Sequence, residues 1–162
     1  MTTIIRRANV LLVVLSTLLL AATILFSPFS NSAYAAKASK GEQIASFART
    51  LEGKPYKYGG TTVKGFDASG FTQYVYKQAV NATLPRTIDQ QYKNKNAVSV
   101  PQKKLQPGDL VFFKLDGKNV SFAGIYLGKD QFIAATTKGV KVQSLSTKYW
   151  KSTYADAKRV VK

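Results

Sequence analysis

Three observations predict an α+β fold. Helical periodicity dominates residues 42–94, strand-length apolar runs dominate the stretch after Pro101, and the turns joining those runs are too short for crossover connections. The expected arrangement is N-terminal helices packed on an antiparallel sheet. The chain has 162 residues, enough for one domain with a real core.

Residues 1–35 stand apart from that domain. Arg6 and Arg7 precede an uncharged apolar run, Val10 to Phe26, which breaks at Ser27-Pro28. Ala33-Tyr34-Ala35 then places small residues at the two positions a signal peptidase reads. A secretory signal cleaved after Ala35 is expected. An uncleaved membrane anchor is the competing reading, because the run is longer than an ordinary signal core and shorter than a comfortable span of about 20 residues. Residues 36–41 read as a short tether and 42–162 as the domain.

The first helix is expected from Gly41 to Leu51, where Ile44, Phe47, Ala48 and Leu51 recur at three- and four-residue steps. Gly53-Lys54-Pro55 stops it, and Tyr56 to Gly60 is too glycine-rich for regular structure. A second helix runs from Asp67, a good N-cap, to about Gln78, with Phe71, Tyr74 and Val75 on one face. Leu84-Pro85-Arg86-Thr87 reads as a connection, and Thr87 to Asn94 as a short polar helix. Pro107-Gly108-Asp109 then turns the chain into Leu110-Val111-Phe112-Phe113, a short buried strand. Further strands are expected at Val120 to Leu127, Gln131 to Thr136 and Val140 to Gln143, forming a meander.

Charge and missing residue types narrow the chemistry. Lys and Arg total 24 against 8 Asp and Glu. Only Arg6 and Arg7 precede residue 36, which leaves 22 bases against 8 acids and a net charge of +14 on residues 36–162. Such a charge on an exported chain implies an anionic partner, although part of it can be a solvated lysine surface. Nucleic acid is not expected, since the charges are scattered and no nucleic-acid motif accompanies them. There is no cysteine and no histidine. Disulfides and Cys–His chemistry are therefore impossible, and with only eight carboxylates no metal or other cofactor is expected.

The sharpest motif is Gly65-Phe66-Asp67-Ala68-Ser69-Gly70. An acid, a central residue, a serine and a glycine open a helix, the place where oriented N–H groups would favour a thiolate. The central residue is alanine. Five further segments accompany it in order: Gly53-Lys54-Pro55-Tyr56-Lys57-Tyr58-Gly59-Gly60; Leu84-Pro85-Arg86-Thr87; Leu105-Gln106-Pro107-Gly108-Asp109-Leu110; Val120-Ser121-Phe122-Ala123-Gly124-Ile125-Tyr126-Leu127-Gly128; and Gln131-Phe132-Ile133-Ala134-Ala135.

Together these segments resemble the NlpC and p-sixty family of cell-wall peptidases, whose fold is papain-like. The resemblance runs from about Glu42 to Val161. It implies hydrolysis of peptide bonds in bacterial wall stems by a cysteine, a histidine on a strand and a third polar group on the next strand. Carried over, these fall on Ala68, Phe122 and Ala134, so all three are replaced. The resemblance also implies that Tyr56 helps stabilise an oxyanion, and that Asp67 and Ser69 contact the amine end of the stem peptide. Phenylalanine at 122 is expected to fill the groove floor and make it more apolar.

Each residue has a plainer reading beside this one. Tyr56 can be a packing aromatic, Asp67 an N-cap, Asp109 a turn residue, and Trp150 with Tyr149 and Tyr154 late core rather than a sugar platform. Ser69 as a substitute nucleophile lacks a base. The leading expectation is an exported pseudoenzyme that binds peptidoglycan stem peptides or teichoic-acid-type anionic polymers, and modulates an active wall hydrolase. The alternatives are an active hydrolase using other residues and a protein-interaction module for an autolysin.

Overall fold

The structure is a computed structural model and describes residues 38–161; the expected signal, its cleavage point and the first residues of the tether lie outside them. Helix α1, Lys40–Thr50, opens with a capping box. The Glu42 N–H donates to Ser39 Oγ at 3.2 Å, and the Ser39 N–H donates to Glu42 Oε2 at 2.7 Å. The last residues of the segment read as a tether therefore belong to the first helix. A two-residue hairpin follows, β1 (Thr61–Thr62) with β2 (Gly65–Phe66), and leads into helix α2, Ala68–Val80. Asn81 closes α2 in the left-handed conformation, φ 55°. Helix α3, Ile88–Tyr92, has its own capping box on Thr87 and Gln90.

The remaining chain builds one antiparallel sheet. Its strands are β3 (Val98–Ser99), β4 (Leu110–Phe113), β5 (Phe122–Gly128), β6 (Gln131–Thr136), β7 (Gly139–Ser144) and β8 (Tyr154–Arg159), with helix α4 (Lys148–Thr153) before the last. The spatial order is β3-β8-β4-β5-β6-β7. The expected meander is present from β4 to β7. It does not continue: α4 carries the chain back so that β8 pairs with the free edge of β4, Val111 opposite Ala157.

Both faces of the sheet are covered, which explains why β4 is a continuous apolar run rather than an alternating one. Leu110 and Phe112 join Ile44, Ala48, Phe71 and Val75 under helices α1 and α2. Val111 and Phe113 face the other way, into a cluster with Phe122, Phe132, Ala134 and Trp150. Trp150 from α4 seals that second face.

A buried corner at residues 107–109 ties these layers together. Asp109, expected as a turn residue, does accept the Gln106 N–H at 2.8 Å. It is also 1% exposed and receives Arg159 Nε and Nη2, both at 2.8 Å. The Tyr76 hydroxyl of α2 donates to the Gly108 carbonyl beside it, and burial drives that phenol's pKa far up. Gly41 packs so closely on the Pro107 carbonyl that a β-carbon there would collide with it. One corner thus joins α1, α2, β4 and β8.

Removing one partner of a buried pair leaves an uncompensated charge, which costs about 3–5 kcal/mol. Arg159 stays 29% exposed, so Asp109→Ala is expected to cost about 3 kcal/mol, the low end of that range. Chemical denaturation of the variant checks this; a loss below about 1 kcal/mol would make the pair incidental.

Candidate functional site

The start of α2 is built by close backbone packing. The Asp67 N–H donates to the Gly60 carbonyl at 3.0 Å, the Lys57 N–H to the Phe66 carbonyl at 3.0 Å, and the Phe66 N–H to the Pro55 carbonyl at 3.0 Å. The tyrosine-glycine loop is therefore laced to the chain entering the helix, and Tyr56 bridges Phe66. Gly70 is required here because any β-carbon would strike the Gly60 carbonyl oxygen.

Asp67 is the N-cap, as expected, and more than that. Its Oδ1 accepts the Gly70 N–H at 2.6 Å, the Ser69 hydroxyl at 3.1 Å and Arg86 Nη1 at 3.1 Å; its Oδ2 accepts Arg86 Nη2 at 2.6 Å. Arg86 Nη1 also donates to Ser69 Oγ at 2.7 Å. Partial burial raises the Asp67 pKa, but the Arg86 hydrogen bonds, the Gly70 N–H and the Arg86 charge outweigh it and hold the carboxyl below its ordinary range. The Arg86 guanidinium is held above its ordinary value chiefly by its hydrogen bond to Asp67, against partial desolvation.

A cavity of about 550 Å³ opens over this helix start, between α2, β5 and α4. Ala68, Phe122 and Trp150 line it, with Tyr56, Tyr58 and Tyr149 also on its wall. Phe122 and Trp150 are stacked, centroids 5.4 Å apart at 23°. Phe113 and Phe132 meet the same indole edge-on at 4.9 and 5.0 Å. The indole N–H donates to Gln143 Oε1 at 3.0 Å. Phe132 reaches the indole because Gly124 has no side chain; a β-carbon there would fall on the Phe132 ring.

The three positions singled out from the sequence come together on this face. Phe122 is in the cluster and on the cavity wall, and Ala68 packs against the cluster from the helix. Ala134 belongs to the same cluster but is fully buried and does not reach the cavity. Trp150 is core, as expected, whereas Tyr149 is 54% exposed beside it and so is not core. Tyr56 lines the cavity at 36% exposure, and Ser69 is almost wholly buried.

Chemically the arrangement is dominated by apolar and aromatic walls around one ion-paired carboxylate. The Ser69 hydroxyl donates to Asp67 and accepts from Arg86, so it is held in a fixed orientation. Its only acidic neighbour is held anionic well below neutrality and is a weak base. Among the described residues no group of three metal-ligating side chains comes together. Sequence reasoning missed Arg86 as a site residue, because its partner lies 19 positions away and the segment reads simply as a connection.

A family profile described as "NlpC/P60 family" matches residues 53–159. The chain is 37% identical to the murein DD-endopeptidase MepH of Escherichia coli strain K12 over 134 residues, 80% of this chain and 49% of that protein. It spans between a third and a half of the first curated relatives it matches, at 49%, 33% and 34% of their lengths. A crystal structure of an NlpC/P60 family protein from Bacillus cereus aligns with TM-score 0.70 and 33% identity, over 75% of this chain and 40% of that one. RipD of Mycobacterium tuberculosis, described as a non-catalytic NlpC/p60 domain protein adapted to peptidoglycan binding, aligns with TM-score 0.62 over 78% of this chain and 98% of its own. At 24% identity that likeness shows the fold alone.

The Asp67 network gives a pH prediction. A carboxyl whose folded pKa is depressed contributes stability above its ordinary value, 3.8 here, and loses it as pH falls through the lower folded value. In Arg86→Met the Asp67 titration should move up toward that ordinary value, and the acid-linked loss of stability should shrink. Carboxyl-carbon NMR titration and denaturation between about pH 2 and 5 read both effects. An unmoved Asp67 titration in the variant would remove Arg86 as its cause.

Proposed function

The chain belongs to the NlpC/P60 family, and we propose that it is an exported member that binds cell-wall material without cutting it. One observation carries this reading: the helix-start position is alanine and the strand facing it presents a phenylalanine stacked on tryptophan, in a chain without cysteine or histidine. A family hydrolase needs a thiolate and a base within hydrogen-bond reach. Here the same space is filled by aromatic packing, and the nearest hydroxyl is locked between Asp67 and Arg86.

Relatives such as MepH are endopeptidases of murein, so wall material is the natural ligand for this groove. RipD supplies a precedent on the same fold for binding without catalysis. The apolar run of residues 10–26 and the small residues before Ala36 support export, and the basic composition supports attraction to an anionic wall. A chain of this kind shields stems from active relatives or regulates those relatives.

The direct test is incubation of the purified chain with purified walls. No fall in turbidity and no released peptide are expected, while the chain co-sediments with the walls. Release of stem fragments would overturn the non-catalytic reading, and failure to sediment would overturn the binding one.

Restoration tests the three positions. Ala68→Cys places a thiol at a helix N-terminus, where its pKa falls, so it should label readily with thiol reagents yet release no peptide. Adding Phe122→His and Ala134→His together should bring slow stem cleavage, whereas neither alone should. Ala134 is fully buried, so the triple variant is expected to lose about 1–3 kcal/mol from inserting a larger ring at that site. A folded triple variant that stays inert would show that positions 68, 122 and 134 do not correspond to a catalytic set.

A further inference from the structure

We propose that the groove holds the sugar–phosphate chain of an anionic wall polymer in preference to a stem peptide, which it takes only weakly. This deepens the wall-binding reading given above and rests on it. The first support is the fate of Asp67. An acceptor for a peptide amine must be an available carboxylate, but Asp67 Oδ1 already accepts three hydrogen bonds and Arg86 neutralises the charge. The anionic end of the groove is thereby cancelled.

The second support is the cavity rim. Its most exposed members are aromatic or apolar: Tyr58 at 89%, Tyr149 at 54% and Leu115 at 42%. Each sits beside lysine in sequence. Lys57 separates Tyr56 from Tyr58, Lys114 precedes Leu115, Lys138 follows Thr137, and Lys148 and Lys151 flank Tyr149-Trp150. Of these, Lys57, Lys138, Lys148 and Lys151 are exposed and Lys114 is half-buried. Their ammonium groups have no carboxylate partner among the described ion pairs.

Of the acids near the rim, Asp67 is paired with Arg86 and Asp89 with Lys93 at 2.9 Å. Asp116 is turned onto its own loop, where it accepts the Lys118 and Asn119 N–H groups, each at 2.9 Å. The groove wall therefore carries the exposed rings of Tyr58 and Tyr149, with exposed lysines next to each in sequence. Tyrosine faces stack on the apolar C–H side of a sugar ring, lysines meet phosphate, and the hydroxyls of Ser121 and Thr137 on the cavity wall suit a polyol. A neutral glycan would leave the lysines without a role, and a plain polyanion would leave the tyrosines without one. A phosphate-linked sugar polymer uses both.

Trp150 makes this directly measurable. It is the only tryptophan in the chain and lies on the cavity wall. Teichoic acid released from purified walls is titrated into the full chain in non-ionic detergent, with tryptophan emission as the readout. A saturable change is expected, and added salt should weaken it. Tyr58→Ala and Tyr149→Ala should each weaken binding about tenfold, without changing the salt dependence. Lys57→Gln, Lys138→Gln and Lys148→Gln together should weaken it by at least about tenfold and flatten the salt dependence. The same change at Lys77, Lys93 and Lys129, all outside the cavity wall, should alter affinity less than about twofold.

Equal losses from rim and distant lysines would overturn the proposal in favour of diffuse charge. So would unchanged tryptophan emission on binding, or equal competition by a stem peptide, an oligothymidylate or anionic lipid vesicles. Sedimentation with whole walls, and with walls stripped of teichoic acid, separates the two levels. Binding to both with no response to free teichoic acid sinks this proposal and leaves wall binding standing. Binding to neither sinks the wall-binding reading itself.

Discussion

Everything around the groove depends on how closely helix α2 begins against the loop that precedes it. The Gly60 carbonyl receives the Asp67 N–H, and Gly70 lies too near that same carbonyl for any side chain. This backbone contact sets the angle at which α2 leaves the loop, and so where Ala68 points and how Tyr56 and Tyr58 overhang it. Asp67 then fixes the first turn through Gly70, Ser69 and Arg86. Because Arg86 comes from the segment ahead of α3, the same carboxylate pins a distant stretch of chain to the helix start.

On the sheet side, the groove floor is built of aromatic packing. A reactive centre keeps polar groups partly unsatisfied, which weakens the fold around it. Phe122, Phe113, Phe132 and Trp150 instead form a continuous set of edge-on, tilted and stacked contacts. Such aromatic pairs contribute about 0.5–1.5 kcal/mol each beyond the area they bury. With no cysteine available for disulfides, the domain gains from a second core on that face. The floor of the groove thus serves stability.

Much of this was legible in the sequence, for definable reasons. Strands β4 to β6 announce themselves as apolar runs between glycine-bearing turns, and Gln131–Thr136 is bounded as expected. Asp67 was readable as a cap because capping is local. The α+β class, the papain-like likeness and the family all followed from ordered motifs. What escaped depends on distance or context. Strand β8 has the mixed composition Tyr-Ala-Asp-Ala-Lys-Arg and becomes a strand only because β4 offers a free edge. The Asp109–Arg159 pair spans 50 positions. Tyr149 and Trp150 are adjacent aromatics on one short helix, and only the packing of α4 decides which is buried.

The position of β8 has a temporal consequence. The last strand of the chain is an interior member of the sheet, between β3 and β4. Its pairing with β4 and the closing of the Asp109 corner both wait for residues up to Arg159. Until strand residues Tyr154–Arg159 have been made, β4 keeps an open edge, and contacts this distant in sequence form late. The domain is thus withheld from its final shape until β8 itself has been made.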